Sequence, residues 1–290
     1  MPTNEQRRAT AKRKLQRQLE RRAQQARRRR ILTITVLSVI AVAVGAAVVA
    51  WLVTGKNPGN KTATPSATTA SASATPAASG VLPPFHPPAG LGDNCQYPAT
   101  PEAAAKPVKP PRTGKVPTDP AQISVSMTTD QGPIPLMLDN AKAPCTVNSF
   151  VSLAEQKYFD GTQCHRLTTA PTLGVLQCGD PTGQGTGGPG YQFANEYPTN
   201  QFPPGDPALQ TPLVYPRGTL AMANAGPDTN GSQFFLVYKD SQLPPNYTAF
   251  GTIQQPGLAT LDKIAKAGVA GGGEDGKPAT PVTITSVALD

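Results

Sequence analysis

The sequence predicts a mainly β domain: an eight-stranded antiparallel closed barrel capped by two α-helices, preceded by a transmembrane helix and a disordered linker. Three observations predict this architecture. Short segments of alternating apolar and polar residues are separated by turn signals, two stretches carry apolar residues at helical spacing, and one long run lacks any charge. The strands and helices fall within residues 119–290, which is enough chain for one domain with its own core.

The alternating segments begin with a hairpin. Residues 123–127 and 134–138 alternate on either side of the turn-forming residues Asp130, Gln131 and Gly132. The same reasoning predicts six more strands and two amphipathic helices. The strands are expected at 162–167, 173–178, 219–224, 232–238, 249–253 and 282–288, and the helices at 144–156 and 258–267.

The N-terminal region is strongly basic. Residues 1–30 carry 12 Lys or Arg and two acids, a net charge of +10, whereas the whole chain is +8 and the remainder is therefore −2. The rest of the chain has no basic surplus, which argues against nucleic acid as a partner. The tail is expected to be solvated, or to attract anionic lipid headgroups with about 1 kcal/mol per basic residue.

Residues 31–53 form an uncharged run of mostly Val, Ala, Ile and Leu, with Trp51 near its end. About 20 apolar residues span a bilayer, whereas the apolar core of a cleaved signal peptide has about 7 to 15. We therefore expect an uncleaved single-span anchor in the lipid bilayer of the cell membrane. Arg27–Arg30 directly before it place the N-terminus in the cytoplasm by the positive-inside rule, and the chain after the span outside it.

Residues 54–118 are rich in Ala, Thr, Ser and Pro, a composition that does not bury a core. This segment is expected to be a semi-extended linker that holds the C-terminal domain away from the membrane. The predicted order is therefore a basic tail at 1–30, a span at 31–53, a linker at 54–118 and a folded domain at 119–290.

Residues 218–238 read GTLAMANAGPDTNGSQFFLVY and predict two short strands around a turn-rich centre. The small Ala side chains would let another chain lie close to the backbone. Polar Asn224 and Gln233 stand near the aromatic Phe234 and Phe235, a combination that suits a groove for an extended peptide. A plain hairpin with an aromatic core is the alternative interpretation of this stretch taken alone.

The chain contains four cysteines, Cys95, Cys145, Cys164 and Cys178. An exported domain meets an oxidising environment in which disulfide bonds form. Four cysteines allow three different pairings. If Arg166 and Gln177 share a face, strand alternation places Cys164 on that face and Cys178 on the other, which argues against a bond between these two. A Cys145–Cys164 bond would close a loop of about 20 residues and contribute about 3 kcal/mol. Four free thiols remain the alternative.

No motif indicates a cofactor or a metal. Gly183–Gly188 matches the pattern GxGxxG, but Pro189 and Gly190 follow instead of a helix, so no helix N-terminus is available for a pyrophosphate. Zinc is not expected, because there is no CxxC and the two histidines are His86 and His165. We therefore predict neither a cofactor nor a metal site.

Arg166 is unusual because it lies within a strand-like run of a domain with few arginines. Its surroundings resemble the cyclophilin-type peptidyl-prolyl isomerases, specifically a membrane-anchored bacterial form. The matching segments, in the family's order, are YFDGT at 158–162, HR at 165–166, QCGDPTG at 177–183, GTGG at 185–188, LAMANAGPDTNGSQFF at 220–235 and YTAFG at 247–251. The resemblance covers almost all of residues 121–290 and implies the family's cyclophilin-like barrel with two capping helices.

The resemblance also implies the residues of the site. They are the catalytic Arg166; the groove glutamine Gln177; Ala223, Asn224 and Gln233 along the peptide path; Phe235 and Leu243 as walls of a proline pocket; Tyr247, where the family often has histidine or tyrosine; and Val175, or else Leu173, at the pocket floor.

The sequence departs from the family's pattern near this pocket. A Phe-Met pair usually precedes the groove glutamine, whereas here the run is LGVL, and the spacing from Arg166 to Gln177 is about three residues longer. Gln242 stands where many relatives have a tryptophan, which predicts weak binding of cyclosporin-like macrocycles. Cys178 stands where the family commonly has glycine.

The function implied by the resemblance is peptidyl-prolyl cis-trans isomerisation of extracytoplasmic proteins, which assists their folding. The partners would be proline-containing unfolded or extended polypeptides. Arg166 would donate a hydrogen bond to the proline nitrogen as the bond twists, a mechanism that needs no nucleophile or metal. The alternative is a holdase chaperone that binds peptides in the groove with little turnover.

Overall fold

A computed structural model describes residues 80–290. The predicted basic tail, the predicted span at 31–53 and the predicted linker as far as residue 79 lie outside the described residues. Among the helices of residues 80–290, none combines the length and the apolar character needed to cross a membrane.

The predicted hairpin is present as β1 (Ile123–Thr129) and β2 (Gly132–Leu138). Val125 and Leu136 are paired across it and fully buried, because alternate side chains of each strand point to the core. Ten further strands and two α-helices follow within residues 80–290. They are β3 (Thr162–Gln163), β4 (Arg166–Thr168), β5 (Gly174–Cys178), β6 (Leu213–Tyr215), β7 (Thr219–Met222), β8 (Phe234–Lys239), β9 (Ser241–Leu243), β10 (Ala249–Ile253), β11 (Asp275–Gly276), β12 (Thr283–Leu289), α1 (Pro144–Glu155) and α2 (Gln255–Ala267).

Ten strands form one curled antiparallel sheet in the order β11-β4-β5-β8-β7-β10-β2-β1-β12-β3, and β6 pairs with β9 separately. The mainly β prediction is confirmed, but the eight-stranded closed barrel is wrong, since no ladder within residues 80–290 joins edge strands β11 and β3. The run predicted as one strand at 162–167 breaks at Cys164 and His165 into β3 and β4. These two strands lie towards opposite ends of the sheet, so the chain itself links the ends.

Both predicted helices are present, and α2 begins at Gln255 rather than at residue 258. Pro144 opens α1, a position where the missing N–H leaves no hydrogen bond unmade. Gly257 lets α2 lie close against the sheet, because a Cβ there would approach Ile253 Cγ2 to 2.8 Å and Ile134 Cγ2 to 3.0 Å. The helices therefore cover the sheet by close packing.

The sheet carries a buried apolar cluster on each face, because neighbouring residues of a strand point to opposite sides. On β8, Phe234 and Leu236 belong to the interior core, whereas Phe235 and Val237 belong to a smaller cluster on the other face. In the interior, the rings of Phe234 and Phe150 meet edge to face with centroids 5.4 Å apart. The smaller cluster is the one from which the candidate site is built.

Residues 80–118, which we call the N-terminal strap, pack against the rest of the domain. The prediction of a disordered linker is therefore wrong for this part of the chain. Tyr97 and Val116 are buried in the interior core, and the Thr100 N–H donates to the Gly190 carbonyl at 3.0 Å. The strap is poor in large apolar residues, but a few suffice because the rest of the domain supplies the surface that they cover.

All four cysteines are paired, as Cys95–Cys145 and Cys164–Cys178, with Cα–Cα distances of 5.2 and 4.0 Å. The argument against the second bond is thus wrong, and neither the Cys145–Cys164 bond nor the free thiols are present. Cys164 lies in the connection between β3 and β4, outside either strand. Because Cys164 is not part of β4, the rule that side chains alternate along a strand does not apply to it. Its side chain therefore reaches Cys178 at the end of β5.

Glu196, which lies in a distant part of the chain, caps the N-terminus of α1. Its carboxylate accepts hydrogen bonds from the backbone N–H groups of Cys145 and Thr146, at 3.1 and 2.7 Å, and from the Thr146 hydroxyl at 2.7 Å. The first turn of a helix leaves such N–H groups without intrahelical partners. Burial nevertheless raises the pKa of Glu196 to about 7, against the opposite effect of these hydrogen bonds.

The substitution Glu196→Gln should flatten the pH dependence of stability between pH 4.5 and about 7. The folded state retains a proton on Glu196 that the unfolded chain, with an ordinary pKa, has released. The free energy of unfolding of the wild type should therefore fall by about 3 kcal/mol as pH rises through this window, and then stay level. Denaturant titrations across the window measure the difference; parallel profiles for the two proteins would contradict the prediction.

Candidate active site

A row of side chains crosses four adjacent strands on the face opposite the interior core. Arg166 on β4 pairs with Gln177 on β5, Gln177 pairs with Phe235 on β8, and Phe235 pairs with Ala221 on β7. Directly paired residues of antiparallel strands point to the same face and lie close together. The register therefore brings a guanidinium, an amide, an aromatic ring and a methyl group into one line.

This row borders a cavity of about 100 Å³. Eight of the nine predicted site residues line it, and Leu173 is the ninth lining residue; Gln233 lies outside it. The rings of Phe235 and Tyr247 meet edge to face at a centroid distance of 5.7 Å and form an apolar wall. The lining residues are Arg166, Leu173, Val175, Gln177, Ala223, Asn224, Phe235, Leu243 and Tyr247.

The departures noted in the sequence have clear positions in the structure. The connection between β4 and β5 contains the additional residues, so the pairing of Arg166 with Gln177 is retained. Leu173 and Val175 both reach the cavity, so the floor is aliphatic. Gln242 is exposed on β9, next to the cavity residue Leu243.

Arg166 is held on one edge by a carboxylate that sequence reasoning missed. Its Nε and Nη2 donate to the two oxygens of Asp275, each at 2.7 Å, and its Nη1 donates to Gln177 Oε1 at 3.3 Å. The hydrogen bond lowers the pKa of Asp275 and raises the pKa of Arg166, so the pair stays charged at neutral pH. Asp275 lies 109 positions along the chain, on the two-residue strand β11, and no motif signals it.

A chain of amides continues from Arg166 along the site. Gln177 Nε2 donates to Gln233 Oε1 at 2.9 Å, and Gln233 Nε2 donates to the Gly187 carbonyl at 3.0 Å. An arginine only donates, so it makes Oε1 of Gln177 the acceptor and thereby orients both amides. Asp180 holds the far end by accepting from the Gly187 N–H at 3.0 Å. The two glutamine side chains are therefore held between Arg166, which Asp275 binds, and Gly187, which Asp180 binds.

A second, larger cavity of about 480 Å³ adjoins the first and shares Ala223 and Asn224 with it. Gln233 lines this larger cavity. Thr100 and Glu102 of the N-terminal strap form part of its wall. A bound chain could thus extend from the small cavity into the large one, past Ala223, whose single methyl group leaves room for a backbone.

The side chain of Asn224 is committed to the protein itself. Its Nδ2 donates to the Asn246 carbonyl at 2.8 Å, and its Oδ1 accepts from the Gly226 N–H at 3.2 Å. Asn224 nevertheless lines both cavities, and its predicted part in binding a peptide stays a prediction. Asn224 also orders the turn that borders both cavities.

Residues 124–289 match the family described as cyclophilin type peptidyl-prolyl cis-trans isomerase/CLD. The chain is 69% identical over its full length to a probable peptidyl-prolyl cis-trans isomerase B of Mycobacterium tuberculosis, covering 95% of that protein, and 66% identical to that of Mycobacterium leprae, covering all of it.

More distant similarity covers the domain alone. Peptidyl-prolyl cis-trans isomerase A of Mycobacterium tuberculosis is 36% identical over 58% of this chain and 93% of its own. A solved cyclophilin type isomerase of Cryptosporidium parvum, in the presence of the dipeptide Ala-Pro, is 29% identical over 58% of this chain and 98% of its own, with a TM-score of 0.46. From the family match and the full-length relatives, the chain belongs to the cyclophilin-type peptidyl-prolyl cis-trans isomerases.

Proposed function

We propose that the two adjoining cavities bind a proline-containing polypeptide and that Arg166 accelerates rotation about its Xaa-Pro bond. The uncatalysed barrier is about 20 kcal/mol, and turnover at about 10 to 10³ per second requires about 13 to 16 kcal/mol. The site therefore has to supply only about 4 to 7 kcal/mol. Stabilisation of one twisted amide by a well-placed donor is of this order.

The observation that carries the proposal is the position of Arg166 over the apolar cavity. Twisting the Xaa-Pro bond removes amide resonance and leaves the proline nitrogen with an available lone pair. A guanidinium that donates to this nitrogen stabilises the twisted state more than either planar isomer, which is the requirement for catalysis. Phe235 and Leu243 would hold the proline ring in the cavity and exclude water from it.

The backbone on either side of the proline would be bound by the two glutamines. Each amide has two N–H donors and two acceptor lone pairs. Gln177 and Gln233 each use one donor and one acceptor in the amide chain that begins at Arg166. One donor and one acceptor therefore remain on each side chain for a peptide.

The direct test is isomerisation of a peptide with a single Ala-Pro bond by the full-length protein in detergent, with peptide affinity measured in parallel. We expect the approach to equilibrium to accelerate in proportion to protein concentration. Binding of the peptide without acceleration would overturn the proposal and favour the holdase chaperone. Neither binding nor acceleration would remove both functions from this groove.

We also propose that residues 31–53 anchor the protein in the cell membrane with its isomerase domain outside the cytoplasm, where it would assist the folding of exported proteins. The support is the length and apolar character of this run and the arginines directly before it. Protease added to intact cells should then digest the domain and spare the basic tail. Protection of the domain would contradict this orientation.

A cyclosporin-like macrocycle should bind this groove weakly. The exposed Gln242 beside Leu243 offers no flat apolar ring for a large ligand to pack against, in contrast to a tryptophan. Titration of the full-length protein with the macrocycle, alongside a relative that has the tryptophan, measures the difference. Equal affinities would show that this position does not control binding.

A further inference from the structure

Asp275 binds Arg166 from outside the two cavities of the site. It does not line either of the two cavities, yet both of its oxygens are bonded to Arg166. We propose that Asp275 is a positioning residue, which selects the N–H groups of Arg166 that face the bound peptide. This inference rests on the proposed role of Arg166 and adds the residue that orients it.

The donors of the guanidinium show what this selection means. An arginine side chain has five N–H donors in a planar fork. Asp275 takes the Nε–H and one N–H of Nη2, and Gln177 takes one N–H of Nη1. One hydrogen on each terminal nitrogen therefore remains without a partner among the described residues. If the guanidinium rotated, the N–H groups that Asp275 now binds would take the place of these donors.

The backbone that carries Asp275 is itself fixed in place. Asp275 pairs with Thr168 across β4 and β11, and the Thr169 N–H donates to the carbonyl of the preceding residue, Glu274, at 2.8 Å. Arg166 lies on the same strand β4. The carboxylate and the guanidinium thus belong to neighbouring paired strands, and their relative position follows from the sheet rather than from a flexible loop.

Solvent exposure limits what this ion pair contributes to stability. The side chains of Arg166 and Asp275 are 39% and 55% exposed, and pairs exposed to this degree contribute little to folding. The chain contains a matched example, since Arg217 donates from Nη1 and Nη2 to both oxygens of Asp262 at 2.7 and 2.9 Å. That pair is 37% and 56% exposed and lines neither cavity.

The experiment compares Asp275→Asn with the control Asp262→Asn in the full-length protein, by kcat, KM and Tm on an Ala-Pro peptide. Asparagine keeps the size of the side chain but places an NH₂ donor against an N–H donor of the guanidinium. The guanidinium should therefore move out of its present orientation. We expect kcat to fall about tenfold with KM within about twofold of wild type, a smaller loss than removal of the donor itself. Asp262→Asn should match the wild type in kcat, and the two variants should have the same Tm.

A double-mutant cycle shows whether Asp275 acts through Arg166. In an Arg166→Ala background, the substitution Asp275→Asn should cause no further loss, because the group that it orients is gone. An equal loss in both backgrounds, a change confined to KM, or an unchanged kcat for the single variant would each overturn the inference. If Arg166→Ala itself kept the wild-type kcat, the failure would lie instead with the proposed role of Arg166.

Discussion

Replacing Arg166 by alanine is expected to lower kcat/KM on an Ala-Pro peptide by about 100- to 1000-fold. This is the usual cost of removing a donor that stabilises charge or a lone pair mainly in the transition state. Most of the loss should appear in kcat, since the apolar wall of Phe235 and Leu243 that holds the proline ring stays intact. Protease-coupled or direct spectroscopic assays of isomerisation measure the change.

Arg166→Lys is the informative companion variant. Lysine keeps the positive charge but loses the planar fork that binds Asp275 and Gln177 at the same time. Partial activity would show that charge contributes, whereas activity as low as that of the alanine variant would show that the fork is needed. The fold is expected to be unaffected, because the side chain is half-exposed. An Arg166→Ala protein with wild-type kcat/KM would remove this residue from the mechanism.

Replacing Tyr97 by alanine is expected to lower the free energy of unfolding by about 3 to 5 kcal/mol, a large share of the usual 5 to 15 kcal/mol. Tyr97 is 6% exposed and meets the rings of Tyr191 and Phe193 edge to face, at 5.7 and 5.6 Å. Its hydroxyl also donates to the Cys145 carbonyl at 2.7 Å. The substitution leaves a cavity and removes this hydrogen bond where the strap meets α1.

Denaturant titration of residues 80–290 measures this effect, with Val81→Ala as the control. Val81 belongs to the same strap but is 73% exposed, so its truncation should change stability by less than about 0.5 kcal/mol. The fragment 119–290, which lacks the strap altogether, should be at least as destabilised as the Tyr97 variant. If the fragment 119–290 were as stable as residues 80–290, the strap would cover the domain without contributing to its free energy of unfolding.

The elements with strong periodicity were predictable. The β1–β2 hairpin and both helices occur where alternation and helical spacing placed them, and a strand overlaps each of the other predicted segments. Eight of the nine site residues named from the family resemblance line one cavity, although the roles assigned to them stay predictions. The membrane anchor also stays a prediction, because residues 31–53 lie outside the described part of the chain.

The features that were missed all depend on long-range pairing. The break at Cys164 and His165 is too short to disturb the alternating pattern, yet it divides the predicted strand into β3 and β4 and lets Cys164 reach Cys178. The two-residue strand β11 has no periodicity at all, and it places Asp275 on Arg166. The strap has the composition of a linker, and it is ordered only because the rest of the domain offers a surface for Tyr97 and its neighbours.

The mainly β class, the family and the residues that meet at the groove follow from the sequence, because strand alternation and contiguous motifs are local properties of the chain. The ends of the sheet, the pairing of the cysteines and the carboxylate that binds Arg166 are visible only in the folded domain. Those contacts link residues from 14 to 109 positions apart. Their geometry depends on the register of paired strands, and composition and spacing do not encode that register.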